Sequence, residues 1–213
     1  MSRPLNRFNW LARHYDFLTR LVFGTAMFNS HVHFFKCIPQ GSQILVVGGG
    51  SGAILPCLCR DHPTCGIWYV EASSEMLSKA SERITRGPRD QIKFIHGTEE
   101  SVPEGIAFDV IITHFVLDLF PNEKGFAFCR NLCEKLQPDG LWLISDFVDG
   151  RKWWQQVMLW VMYRFFVLTC KIEATVLPSW EYQLRMAGMR ERAFKLFFLG
   201  FIKSAVYSKE AGQ

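Results

Sequence analysis

"QILVVGGGSGAIL", residues 43–55, runs four apolar residues directly into three successive glycines, a serine and a fourth glycine, and then an apolar segment resumes. The apolar run reads as a buried strand and the resumed segment as the start of a helix. Glycines at such a junction permit positive φ and let backbone approach a ligand closely. In a doubly wound sheet, ligands sit at the carboxyl ends of the strands, where free N–H groups and a helix N-terminus add positive potential. The stretch therefore marks a strand–loop–helix ligand site.

Working outward, the alternation continues. "GIWYVEAS" (66–73) is a second apolar strand ending in Glu71, and "SEMLSKASERI" (74–84) an amphipathic helix capped by Ser73 or Ser74. "IKFIHG", "FDVIITHF" and "GLWLISDF" read as further strands, with a helix over 122–137 and a "PDG" turn at 138–140. Nearly continuous apolar strands separated by helices predict a parallel sheet covered on both faces. "AFKLFFLGFIKSAVYSK" (193–209) breaks the pattern and reads as a hairpin around Gly200. Residues 8–36 read as helical, with Phe8, Leu11, Tyr15, Leu18, Val22 and Phe23 near 3.6 spacing. The predicted fold is α/β: a doubly wound, mostly parallel seven-stranded sheet with a C-terminal antiparallel hairpin and helices on both faces.

The chain has 213 residues, 49% of them apolar, with 19 Phe and 7 Trp, which predicts one domain with a large core and excludes extensive disorder. Seven cysteines, an odd number, and an N-terminus without an apolar signal core predict a reducing, cytoplasmic setting. The net charge of +4 hides an asymmetry. Residues 1–42 hold five Lys/Arg against one Asp, residues 43–150 nine against fifteen Asp/Glu, and residues 151–213 ten against four. Basic flanks suit an anionic substrate, a membrane surface or nucleic acid, or form a solvated basic face. No dense Arg/Lys cluster interleaved with aromatics supports nucleic acid. In "CLCRDHPTC" (57–65) the spacing is wrong for a metal site.

Two cofactors suit the glycines. Gly48, Gly50 and Ala53 satisfy G-x-G-x-x-A, and Glu71 lies nineteen residues beyond Gly52, where a dinucleotide's ribose-binding acid is expected. S-adenosylmethionine offers the same ribose diol without a pyrophosphate. The forty-odd residues before the first strand, the Ser-x-x-Met-Leu-x-x-Ala arrangement after Glu71 and the terminal hairpin favour the second. In these features the sequence resembles the class I, seven-stranded S-adenosylmethionine-dependent methyltransferases, most closely the small-molecule branch that includes quinone-biosynthesis enzymes.

The resemblance implies a single domain: an N-terminal helical cap (1–42), a cofactor-binding core (43–150), a substrate-covering insert (151–182), and a last helix with the hairpin (183–213). It implies that Gly48, Gly50 and Gly52 lie under the methionine part of the cofactor. Glu71 would bind both ribose hydroxyls, Ala72 and Met76 would border the adenine, and Thr98 or Glu99 would meet its amino group. Thr113, His114 and Phe115 would face the methyl donor. One position departs from the family pattern. The acid usually found two residues before the first glycine, which anchors the cofactor's amino group, is Val46 here.

Methyl transfer from a sulfonium needs alignment and exclusion of water, and a base only if the acceptor loses a proton. His114 is the candidate base, because it follows the fourth strand and titrates near neutrality. Asp118 and Asp146 are candidates to orient it or the acceptor, or cap a neighbouring helix. Tyr15 lies where the family's N-terminal helices cover the cofactor. "WWQQVMLWVMYRFFVLTC" (153–170), with Arg164 as its one charge, reads as a lid over a small-molecule or lipid-like acceptor and a candidate for peripheral membrane contact. The alternatives are an NAD(P)-dependent oxidoreductase using the same loop and a non-catalytic methyltransferase-like binding module, to which Val46 points.

Overall fold

A computed structural model describes residues 15–84, 89–150, 152–170 and 177–210, with the side chains of 15–18, 89 and 165–170 also outside the description. Its centre is one seven-stranded sheet in the order β3-β2-β1-β4-β5-β7-β6. The first five strands are β1 (Gln43–Val47), β2 (Gly66–Glu71), β3 (Ile92–His96), β4 (Phe108–His114) and β5 (Leu136–Phe147), and all run parallel. β6 (Met189–Phe197) and β7 (Ile202–Lys209) form the hairpin, and β7 inserts antiparallel between β5 and β6. The α/β class and the terminal hairpin agree with the sequence reading.

Side-chain alternation sorts each strand into two cores. On one face Leu45, Val47, Ile111, Trp142 and Tyr207 pack against Phe128 and Leu132 of α5 (Asn122–Lys135) and Trp180 and Leu184 of α7 (Trp180–Met186). On the other, Ile44, Val46, Val110, Ile112 and Leu143 meet Leu55 and Leu58 of α3 (Leu55–Asp61) and Ala80 of α4 (Ser74–Arg83). Burying each large chain contributes about 1.5–3 kcal/mol, so both faces must be covered, which is why the strands read as unbroken apolar runs. A third cluster caps the carboxyl end of β5. There Phe147, Phe201 and Ile202 gather Phe23 of α1 (Tyr15–Phe23), Met27 of α2 (Ala26–Val32), and Leu159 and Tyr163 of α6 (Trp153–Cys170).

Two local readings are corrected. The continuous helix expected over 8–36 is broken: α1 ends at Gly24, in the left-handed region at φ 58°, whose N–H donates to the Arg20 carbonyl. Residues 8–14 lie outside the described part. "PDG" does not separate α5 from β5, which already begins at Leu136. Pairing instead skips from Phe108–Leu136 to Val110–Leu141, so Gln137–Gly140 bulge out of the ladder. Pro138 has no N–H to offer the ladder, and a bulge tolerates that.

Candidate active site

The glycine loop leaves β1 and enters α3, and each glycine meets a different constraint. Gly48, Gly50 and Gly52 all have positive φ. At Gly52 (φ 77°) an added Cβ would lie 2.7 Å from the Ala80 Cα of α4, so the loop packs on helix backbone. At Gly50 (φ 63°) an added Cβ would meet nothing within 4 Å, so this glycine presents its backbone to open space. Tyr69 supports the loop from below through its hydroxyl, which donates to the Gly50 carbonyl at 3.1 Å. Arg83 holds it from the side, its Nε donating to the Ser51 carbonyl at 2.7 Å.

Glu71 ends β2 beside this loop and is buried. One carboxylate oxygen accepts from the Gly50 N–H and the other from the Ser73 N–H, each at 2.8 Å. Burial pushes the carboxyl above its ordinary range, while the N–H groups of Ser73, Gly50 and Ala72 pull it back. Ser73 caps α4 by accepting from the Met76 N–H, which fixes Ala72 and the buried Met76 next to Glu71. Thr98 follows β3, its N–H donating to Ser101 Oγ at 3.2 Å, and Glu99 is buried in the same short turn.

At the end of β4, Thr113 and His114 face opposite sides. Thr113 is buried, its hydroxyl accepting from the Trp142 indole at 2.9 Å, which ties β4 to β5. His114 stacks on His31 of α2, with ring centroids 4.4 Å apart and planes 5° apart. Burial, with His31 beside it, holds His114 well below the ordinary histidine range, and burial pushes His31 down to about 3. Both rings are therefore neutral at pH 7. Phe115, next in the chain, adopts φ 54°, a conformation that costs a non-glycine residue of order 1–3 kcal/mol and clusters at functional sites.

Asp118 and Asp146 are both buried. Asp146 accepts from the Leu117, Asp118 and Phe147 N–H groups and so anchors the turn after β4, the capping alternative for this residue. Burial raises both carboxyls, Asp118 to about 7, and the Asp118 charge pushes Asp146 up further. Asp118 Oδ1 is buried without a hydrogen-bond partner among the described residues, while the Tyr163 hydroxyl donates to the Asp118 carbonyl at 3.2 Å. Tyr15 opens α1, but its side chain lies outside the described residues. Val46 is buried among Ile44, Val110 and Ile112, a dry layer with no place for a charged group.

Sequence reasoning passed over His31, Tyr69 and Arg83. Only the fold brings residue 31 to residue 114. Both ring nitrogens of His31 are buried with no hydrogen-bond partner among the described residues, an arrangement that a polar ligand atom would relieve.

An open glycine loop, an adjacent acid and a strained turn thus meet at the carboxyl ends of β1, β2 and β4, the crevice where such sheets bind ligands. Residues 44–140 match the sequence model of a family described as "Methyltransferase domain". Among known proteins it is similar to a malonyl-acyl-carrier-protein O-methyltransferase of Priestia megaterium, 29% identical over 52% of this chain and 39% of the relative. It is also similar to a mitochondrial ubiquinone biosynthesis O-methyltransferase of Schizosaccharomyces pombe, 28% identical over 60% of this chain and 44% of the relative. The matches therefore span less than half the length of these relatives. The mitomycin 7-O-methyltransferase MmcR has the same fold, with TM-score 0.70 at 16% identity over 93% of this chain and 58% of that one.

Proposed function

We propose that this chain transfers a methyl group from S-adenosylmethionine to an oxygen of a small or lipid-like acceptor. One observation carries the cofactor assignment: the Glu71 carboxylate lies at the mouth of the glycine loop, anchored by the Gly50 and Ser73 N–H groups. The carboxylate keeps acceptor capacity for the ribose hydroxyls, and the open side of Gly50 leaves room for the methionine part. Gly48 and Gly52 shape that loop, Ala72 and Met76 flank the adenine, and Thr98 and Glu99 close its far side. S-adenosylmethionine supplies an alkyl group already activated on a sulfonium.

The chain's own residues then need to seat the acceptor and receive its proton. His114, neutral and facing α2, accepts a hydrogen bond from the acceptor hydroxyl and takes that proton as the oxygen is alkylated. Its lowered basicity makes it a holder of the hydroxyl first and a base only as the oxygen becomes acidic in the reaction. Thr113 braces the strand beneath, and Asp146 fixes the turn that follows Phe115. The names of the two curated relatives support oxygen as the acceptor atom. The aromatic third cluster and residues 153–170 support an apolar acceptor reached through peripheral membrane contact. Six described cysteines are free thiols, which supports a reducing, cytoplasmic setting.

The test is methyl transfer from labelled S-adenosylmethionine to a panel of phenols, quinols and fatty acids in mixed micelles. Turnover on an apolar hydroxyl, falling about 100-fold or more in kcat for His114→Ala, supports this reading. Turnover confined to amines or to water-soluble polar acceptors overturns it.

A further inference from the structure

Helix α6 is apolar on two opposite sides, and the fold uses only one. Gln155, Leu159 and Tyr163 turn inward and are buried, while Trp153, Val157, Trp160 and Val161 point outward. Trp153 is 79% exposed and Trp160 62%. These outward positions fall at i, i+4, i+7 and i+8, one stripe along the helix, and Arg164 at i+11 continues it with its guanidinium 5.4 Å from the Trp160 ring.

The stripe does not end with the helix. Lys152 Nζ donates to the Leu199 carbonyl at 3.3 Å, tying the start of α6 to the tip of the β6–β7 hairpin. Leu199 stands at that tip with φ 55° and is 77% exposed. Phe198 beside it packs on Trp154 of α6 and on Phe23 of α1, whose neighbours Leu21 and Val22 are also exposed. Three elements thus share one end of the molecule. Their exposed side chains include the basic Arg20, Lys152 and Arg164 and the uncharged Gln156, and α6 contains no carboxylate. Asp149, which precedes the helix, accepts from the Gln156 amide.

We propose that this end of the molecule docks on the surface of an anionic lipid bilayer, with Trp153, Trp160 and Leu199 at the headgroup–acyl boundary and Arg20, Lys152 and Arg164 at the phosphates. Indole rings partition to that boundary, and cations beside it are drawn to anionic headgroups. Crossing is a different matter: no helix of the described residues is long and apolar enough to span a membrane. A soluble protein partner or a second copy would also cover an apolar stripe, but the basic border without a carboxylate on α6 complements phosphate.

The docking face is also joined to the histidine pair by packed rings. Ring contacts run without a gap from Phe198 to Phe23 (5.1 Å), Phe147 (5.5 Å), Phe115 (4.7 Å) and His31 (5.3 Å), and end on His114. A lipid-like acceptor held at this face would be separated from the histidine pair by that one aromatic layer. This last step rests on the proposed methyl transfer; the docking itself does not.

The experiment is co-sedimentation of the full chain with phosphatidylcholine vesicles, with and without phosphatidylglycerol, at low and high salt. The expected result is binding to the mixed vesicles alone, released by salt. It should be weakened about tenfold or more in Trp153→Ser/Trp160→Ser and in Lys152→Glu/Arg164→Glu. Both double variants should keep the wild-type circular dichroism melt and affinity for S-adenosylhomocysteine, which separates failure of docking from failure of the cofactor reading. No sedimentation with either vesicle overturns the proposal. So does a wild-type dimer in light scattering that becomes a monomer in the tryptophan double variant, which would make the stripe an interface between copies.

Discussion

At Glu71, two backbone N–H groups and a buried carboxylate share one small volume, so the residue shapes the loop as well as offering itself to a ligand. Glu71→Ala should weaken S-adenosylhomocysteine by about 1–3 kcal/mol in calorimetry and lower the melting temperature, since Gly50 loses its partner. Because burial raises its pKa, affinity should decline as pH falls toward the acid range, where the carboxyl becomes protonated and no longer accepts from both ribose hydroxyls. The glycines separate strain from space. Gly52→Ala meets the Ala80 Cα as well as an unfavourable φ, whereas Gly50→Ala meets only the φ, which costs about 1–2 kcal/mol. Chemical denaturation should therefore show the larger loss at Gly52, and a larger loss at Gly50 would contradict the packing assigned to the loop. Glu71 and the glycines were legible in sequence because their spacing is local. His31 was not, because nothing within "HVHFF" announces a stack on a strand end eighty-three residues away.

Among the elements, α2 is held over the sheet by few but specific bonds. The hydroxyls of Ser145 on β5 and Ser204 on β7 both donate to the Ser30 carbonyl, at 2.9 Å and 2.8 Å, from buried positions. Ser145→Ala/Ser204→Ala should cost about 1 kcal/mol per bond and speed hydrogen exchange across 26–32, loosening the helix that carries His31. Unchanged exchange there would show that apolar packing alone fixes α2. The strands of the core were readable because burial on both faces leaves a continuous apolar run. Helix α6 was readable as a helix, but not as to which side it buries. When both sides are apolar, the sequence period carries no direction, and the choice is made by Phe147, Phe201 and Phe23 packing against it. The break at Gly24 was missed for a related reason: the apolar spacing continues across it, and only the backbone conformation of one residue ends α1.

For the whole molecule, the sheet order was only partly written in the chain. Five parallel strands and a hairpin follow from local patterns, but the insertion of β7 between β5 and β6 depends on a pairing of Leu141–Phe147 with Ile202–Ser208 that no local signal specifies. The Asp118–Asp146 pair gives the molecule a pH signature. Both carboxyls are raised above the ordinary aspartate value of 3.8, Asp118 to about 7, so the native state keeps protons that the unfolded chain releases. Their stabilisation is fully present below the ordinary range and is lost as pH rises toward and through 7. The slope is about 1.4 kcal/mol per pH unit for each proton retained. Below about pH 6.5 the depressed His31 and His114 oppose this trend, so urea unfolding between pH 6.5 and 8 should show stability falling as pH rises, and Asp118→Asn should flatten the decline.

What the glycine loop and Glu71 hold is decided by isothermal titration of the folded protein with S-adenosylhomocysteine, then with NADH and NADPH. Saturable binding of S-adenosylhomocysteine, weakened by Glu71→Ala and absent for both nicotinamide cofactors, is the predicted result. Binding of a nicotinamide cofactor alone would make the loop a dinucleotide site. Silence with all three would mean that Val46, in place of the anchoring acid, marks a domain that has kept the fold and lost the cofactor.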